Sequence, residues 1–161
     1  MGVNLREITE EDRAAVLALR VPPEQQRFVG SVQDALDDAA DYPHANPWYR
    51  AVYADEEPVG FVMLSWNVRP QPPDIIGPWF LWKILIDRRY QGRGYGADAV
   101  RQVAALIRAE GATELLTSYV PEDGGPAGFY RRLGFTPTGD VDADGELIVR
   151  LDLAASGEPE V

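Results

Sequence analysis

The chain has 161 residues, 45% of them hydrophobic and 25% charged, which is one domain's worth of sequence with a sizeable core and too little for two. Its formal net charge of −11 repels nucleic acid and anionic membranes and raises the local concentration of cations. Cysteine is absent, which excludes an internal disulfide, a thiolate metal site and a cysteine-bound acyl intermediate.

No apolar run approaches the length needed to span a bilayer, and the N-terminus carries neither a signal-peptide core nor a myristoylation pattern. The expectation is a cytoplasmic protein with no membrane or nucleic-acid partner. The acidity itself reads in two ways, as affinity for a cationic substrate or as a solubility trait.

In chain order, Val3 to Ile8 reads as a first strand. Thr9 is a candidate N-cap with Glu10, Glu11 and Asp12 in the first turn, where negative charge suits the helix dipole. Ala15, Val16 and Leu19 give that helix its buried face, and Pro22-Pro23 ends it. Glu24 to Val29 reads as a loop. A second helix from Ser31 to about Asp41 divides into two faces, with Val32, Ala35, Leu36 and Ala39 on one and Asp34, Asp37, Asp38 and Asp41 on the other. The acidic stripe is either a polycation-binding face or a solvated one. His44, the only histidine, falls in a turn and receives no role.

Trp48 to Tyr53 and Pro58 to Trp66 read as a hairpin turned by Asp55-Glu56-Glu57. Arg69 to Pro78, with four prolines, is irregular and is expected near a substrate entrance. A buried strand follows through Ile86, then a loop containing Gly92, Gly94 and Gly96, then a long helix with Val100, Val103, Ala104 and Ile107 on one face and Gly111 as its C-cap. Glu114 to Val120 reads as the next strand, followed by a loop from Pro121 to Gly125 and a short helix through Leu133. Strands near 135–138 and 146–153 come last, joined by an acidic turn at 140–145. The tail from Ala154 is small and polar and is expected to fray, which leaves 1–153 as a single domain.

The strand, glycine loop and helix start at 82–96 make an anion cradle. Amides at a helix N-terminus lack intrahelical acceptors and sit at the positive end of the dipole. Glycine lets the backbone close on a phosphate, and Arg88, Arg89 and Arg93 add positive charge to the loop. The lysine and hydroxyl of a Walker loop are missing.

Gln91-Gly92-Arg93-Gly94-Tyr95-Gly96 resembles the Gln/Arg-x-x-Gly-x-Gly/Ala signature of the GNAT acetyltransferases, and Phe129-Tyr130-Arg131-Arg132-Leu133-Gly134-Phe135 resembles that family's second signature. The resemblance covers nearly the whole chain. It implies an α/β fold of the GNAT acyl-CoA N-acyltransferase type, a central mixed sheet flanked by helices, with the fourth and fifth strands splayed around the pantetheine arm of acetyl-CoA. It also implies that backbone groups of Ile84, Leu85 and Ile86 pair with the pantetheine amides and that Gln91, Gly92, Arg93, Gly94, Tyr95 and Gly96 hold the pyrophosphate. Asp123 stands where relatives often carry an asparagine that touches the cofactor.

Without cysteine, acetyl transfer should be direct, in a ternary complex, with acetyl-CoA as cosubstrate and no metal. Tyr130 matches the tyrosine that serves many GNAT enzymes as general acid: a phenol of pKa about 10 can protonate a leaving thiolate of pKa about 8.5. A core aromatic is the other reading. The base stays open, between Glu24 or Asp74 acting through water and an amine that arrives neutral. Trp66, Trp79, Trp82 and Tyr119 are candidates for an aromatic wall that holds an ammonium by cation–π contact, or for core.

Within the family, the runs 80–92, 59–63 and 118–122 look most like the bacterial spermine/spermidine acetyltransferases, which implies a small-molecule polyamine acceptor. The alternatives are another small amine, such as an aminoglycoside, an amino acid or a peptide N-terminus, and, from a different class, a non-catalytic acyl-CoA-binding module. A homodimer is common among similar enzymes.

Overall fold

The computed structural model describes residues 2–26 and 28–154. One seven-stranded mixed sheet, in the order β1-β2-β3-β4-β5-β7-β6, carries the chain. β1 (Asn4–Arg6), β2 (Pro47–Ala54), β3 (Glu57–Ser65) and β4 (Phe80–Ile86) pair antiparallel in sequence. β5 (Glu114–Tyr119) joins β4 in parallel, and β7 (Leu147–Asp152) inserts between β5 and β6 (Thr136–Val141). The helices are α1 (Arg13–Leu17), α2 (Val32–Asp41), α3 (Tyr95–Ala109) and α4 (Ala127–Leu133).

Two apolar layers coat the sheet. On one face Val16, Leu19, Val32 and Ala35 from the α1–α2 region pack on Phe61, Met63 and Leu85. On the other, Val100, Val103 and Ile107 of α3 and Tyr130 of α4 pack on Val62, Leu64, Leu81 and Val149. β3 is buried on both faces because it lies inside the sheet with helices on each side, which is why 59–64 reads as continuous apolar sequence.

Several elements differ from the sequence reading, each for a local reason. Helix α1 starts at Arg13, not after Thr9. Asp12 Oδ1 takes the Thr9 amide at 2.7 Å and its other oxygen accepts from the Tyr53 hydroxyl, so the 9–12 segment folds as a turn. Asp34 is not a free member of the acidic stripe: with Ser31 it forms the capping box of α2, Ser31 Oγ accepting from the Asp34 amide at 3.1 Å and Asp34 Oδ2 from the Ser31 amide at 3.0 Å. β6 extends to Val141, into the stretch expected to turn. Gly111, at φ 98°, follows α3 as expected, with the Ala112 amide reaching back to the Ile107 carbonyl at 3.0 Å. Ala154 lies in a turn, and the rest of the expected fraying tail lies outside the described residues.

The feature that positions the site is the parallel pair. Only Phe80↔Leu116 and Leu81↔Thr117 are in register, and beyond them β4 and β5 diverge. The pairing-competent edge of β4 from Trp82 onward is left without a partner strand, and a cleft opens there.

Candidate active site

The cleft has a volume of about 1350 Å³ and runs through the splay from one face of the sheet to the other. Ile84, Leu85 and Ile86 line it from β4, and Gln91, Gly92, Gly94, Tyr95 and Gly96 from the glycine loop and the start of α3. Gly94 is the N-cap of α3, left-handed at φ 83°, and makes no side-chain cap hydrogen bond. The first amides of α3 therefore lack side-chain caps, and the residues that carry them, Tyr95, Gly96 and Ala97, line the cleft. A Cβ built on Gly92 or Gly94 meets nothing within 4 Å, so it is the left-handed backbone, at φ 79° and 83°, and not a steric clash that favours glycine at both positions. Gly96 serves a different need: its Cβ would stand 3.3 Å from the Phe129 ring, so glycine lets α3 approach α4 closely.

Two carboxamide and carboxylate clamps fix the loop. Gln91 Nε2 donates to the Ile86 carbonyl at 2.8 Å and exchanges hydrogen bonds with the Gln25 side chain. Asp87, only 2% exposed, accepts from the Arg20 amide at 2.7 Å and from the Arg89 amide and Nε at 3.0 and 2.7 Å. Burial alone would raise this carboxyl, but the Arg89 side chain and the two amides outweigh it and hold the carboxyl below its usual range. The sequence reading gave Asp87 no role. Its signal was a lone acid at the end of an apolar strand followed by two arginines.

The arginines behave differently from expectation. Arg89 spends its guanidinium on Asp87 and, like Arg93, lies over the Tyr90 ring; none of Arg88, Arg89 and Arg93 lines the cleft. Among the described residues the arginine that does is Arg132 of α4. Asp123 is also off the lining, where Gly124 and Gly125 stand instead.

Tyr130 is buried on α4 and lines the cleft, with Tyr119 stacked on it at 5.8 Å between ring centroids. Burial pushes its hydroxyl up to about 12, against a weaker opposing effect of the hydrogen bond with Thr117, and the charge of Glu146 adds to the rise. The phenol therefore stays protonated throughout the neutral range.

Of the expected wall, Trp82 and Tyr119 line the cleft. Trp79 does not: it is 6% exposed, belongs to the core layer under α3 and meets Trp66 edge-on at 5.0 Å, with Trp48 beyond. Its ring is taken by that aromatic stack, and Trp66 lies off the lining with it. Glu24 sits in a short 3₁₀ turn and is likewise off the lining, whereas Asp74 is on it.

On the α1–α2 face the cleft is rimmed by Asp38, Tyr42 and His44. Asp38 lies 3.6 Å from Lys83 Nζ, and Tyr42 meets Trp82 edge-on at 6.4 Å. The acidic stripe thus divides, with Asp38 at the cleft, Asp34 in its cap and Asp37 accepting from Gln33. Asp142, Asp144 and Glu146, around the β6–β7 turn, close the same end, and the Ala143 amide ties that turn to the Pro73 carbonyl of the proline-rich loop.

A family model described as Acetyltransferase (GNAT) family matches residues 13–135, which contain both signatures and the whole splay. The chain belongs to the GNAT acetyltransferase family. Spermine/spermidine N(1)-acetyltransferase of Bacillus subtilis is 27% identical over 154 residues, covering 95% of this chain and all of that relative. A peptidyl-lysine N-acetyltransferase of Salmonella typhimurium is 28% identical over 154 residues, covering 89% of this chain and 90% of the relative. Among solved structures, AAC(6')-Ib in complex with ribostamycin and coenzyme A superposes with a TM-score of 0.75 at 18% identity over 99% of both chains, a likeness of fold. This GNAT protein is thus an acyl-CoA-dependent N-acetyltransferase with the mixed sheet that the resemblance implied.

The residues fit such a cosubstrate. An unpaired strand edge matches the amides of a pantetheine arm, and uncapped helix amides with glycines beneath them match a diphosphate. Among the described residues no cluster of His, Cys, Asp and Glu could hold a metal ion.

Proposed function

We propose that this enzyme transfers the acetyl group of acetyl-CoA directly to a primary amine of a polyamine of the spermidine type. Backbone groups of Ile84, Leu85 and Ile86 orient the pantetheine arm, and the amides from Gln91 to Gly96 hold the diphosphate. Fixing the long cosubstrate at both ends converts a bimolecular attack into an aligned, effectively intramolecular one. As carbon–sulfur cleavage develops, Tyr130 donates its proton to the sulfur. Tyr119, stacked on it, keeps the phenol aimed and water out.

The observation that carries this reading is geometric. The glycine loop, the unpaired edge of β4 and the Tyr130 ring all open into one cleft, at the point where β4 and β5 cease to pair. The polyamine half rests on charge at the other end. Asp38, Asp74, Asp142, Asp144 and Glu146 line the cleft, with Lys83 paired to Asp38, in a chain of net charge −11. A second ammonium along the acceptor would be drawn there. The near full-length similarity to a spermine/spermidine N(1)-acetyltransferase points the same way.

The test is CoA thiol release from acetyl-CoA with spermidine, spermine, tobramycin and a lysine peptide as acceptors. Higher kcat/KM for the polyamines, falling with added salt, is expected. Preference for tobramycin or the peptide would replace the polyamine, and silence with every amine would leave an acyl-CoA-binding module.

A further inference from the structure

The sequence offered no base on β4, where the run Phe80-Leu81-Trp82-Lys83-Ile84 has no carboxylate. The fold brings one from elsewhere. Side chains alternate along a strand, so the two faces of β5 can be told apart. Thr117 and Tyr119 face α4, where both contact Tyr130. Ser118 therefore faces the α1–α2 side. Ser118 pairs with Ile148 of β7, and Glu146, two residues earlier, falls on the same side; Ser118 Oγ donates to its Oε1 at 3.1 Å. Glu146 and Tyr130 thus line one cleft from opposite faces of the sheet, communicating through the gap beyond Leu81 and Thr117.

We infer that Glu146 is the general base: its carboxylate receives the proton of the incoming ammonium on the α1–α2 side of the sheet, while the leaving sulfur is protonated from the α4 side. This rests on the amine-acetylation reading above. The proton balance closes. The ammonium gives one proton to Glu146, and the neutral nitrogen attacks the thioester carbon. The C–N bond forms and the C–S bond breaks. The sulfur takes the Tyr130 proton, the phenolate recovers the proton that the nitrogen sheds on becoming an amide, and Glu146 releases its proton to water.

The surroundings suit the task. Burial raises the Glu146 carboxyl, the Ser118 hydrogen bond opposes this, the charges of Asp142 and Asp144 raise it further, and Lys83 opposes them again. Tyr130 is the titratable group facing it through the gap. The net rise strengthens the carboxylate as a base toward an ammonium. Ser118 fixes Oε1, which leaves Oε2 for the acceptor.

The experiment compares wild type and Glu146→Gln in CoA release with spermidine, tobramycin and a lysine peptide between pH 6 and 9, with acetyl-CoA affinity by calorimetry alongside. Wild-type kcat/KM should level off above the raised carboxyl pKa. The variant should bind acetyl-CoA within about twofold of wild type and lose about 100-fold in kcat near neutral pH. Its residual rate should climb about tenfold per pH unit, because only free amine then reacts. Glu146→Asp should recover part of the rate and the plateau. An active wild type with a Glu146→Gln variant that keeps both rate and plateau overturns the inference and leaves the acetylation reading intact. A wild type silent with all three amines overturns both.

Discussion

Replacing Tyr130 by Phe removes one buried hydroxyl and little else. The ring keeps its stack on Tyr119 and its edge contacts with Phe129 and Phe135, at 5.1 and 5.3 Å between centroids. The partner hydroxyl of Thr117 is not orphaned, because it still donates to the Leu81 carbonyl at 2.8 Å. The stability cost is therefore that of one hydrogen bond, about 1 kcal/mol, and the fold survives. Catalysis loses the proton donor for a thiolate. A positioned general acid contributes at least about 100-fold, or about 2.7 kcal/mol of barrier. CoA release under saturating acetyl-CoA and spermidine should fall by that factor, while acetyl-CoA affinity by calorimetry and the melting temperature stay close to wild type. An unchanged kcat would remove the acid role and leave Tyr130 as a core aromatic. A kcat loss accompanied by an equal loss of acetyl-CoA affinity would make it a packing residue of the cofactor arm.

Asp87→Asn turns one of the two acceptor oxygens into an NH₂ that faces either the Arg20 amide or the Arg89 donors, so it should cost about 1–3 kcal/mol in chemical denaturation and weaken acetyl-CoA binding by loosening the loop. Because the folded-state pKa of Asp87 lies below its unfolded value, its stabilisation is present above the ordinary carboxylate range and is lost as pH falls through the lowered value. Wild type should accordingly lose melting temperature more steeply than the variant below about pH 4. Gly94→Glu places bulk and negative charge in the cradle at a position with φ 83°, and acetyl-CoA binding by calorimetry should vanish; retained binding would contradict the loop assignment. Asp38→Asn should raise the KM for spermidine and reduce its salt dependence, whereas Asp37→Asn, on the Gln33 side, should change neither; equal effects would make the stripe a solvated face.

The fold was legible wherever periodicity and turn chemistry agreed. The continuous apolar run 59–64, the glycines at 92 and 94 and the 3.6-residue spacing of Val100, Val103 and Ile107 each fix an element by local rules. Boundaries failed where a side chain found a distant partner. Asp12 reaches Tyr53, 41 residues away, and no local signal at Thr9 reveals that. The glycine loop of the proposed site was readable for the same reason, since a glycine loop before a helix is local. The side-chain part of that site depends on which faces of distant strands meet. Glu146 becomes a cleft residue through the β5–β7 register, Asp87 through Arg20, and Trp79 leaves the wall because Trp66 and Trp48 claim its ring. Charge in the loop misled, because Arg89 neutralises Asp87.

Every role assigned to the cleft requires that the mouth of α3 and the open edge of β4 grip an acyl-CoA. Calorimetric titration of the purified protein with acetyl-CoA tests this most directly. A saturable one-to-one heat that desulfo-CoA or free CoA competes away is the predicted result, and a flat titration at millimolar ligand would contradict it.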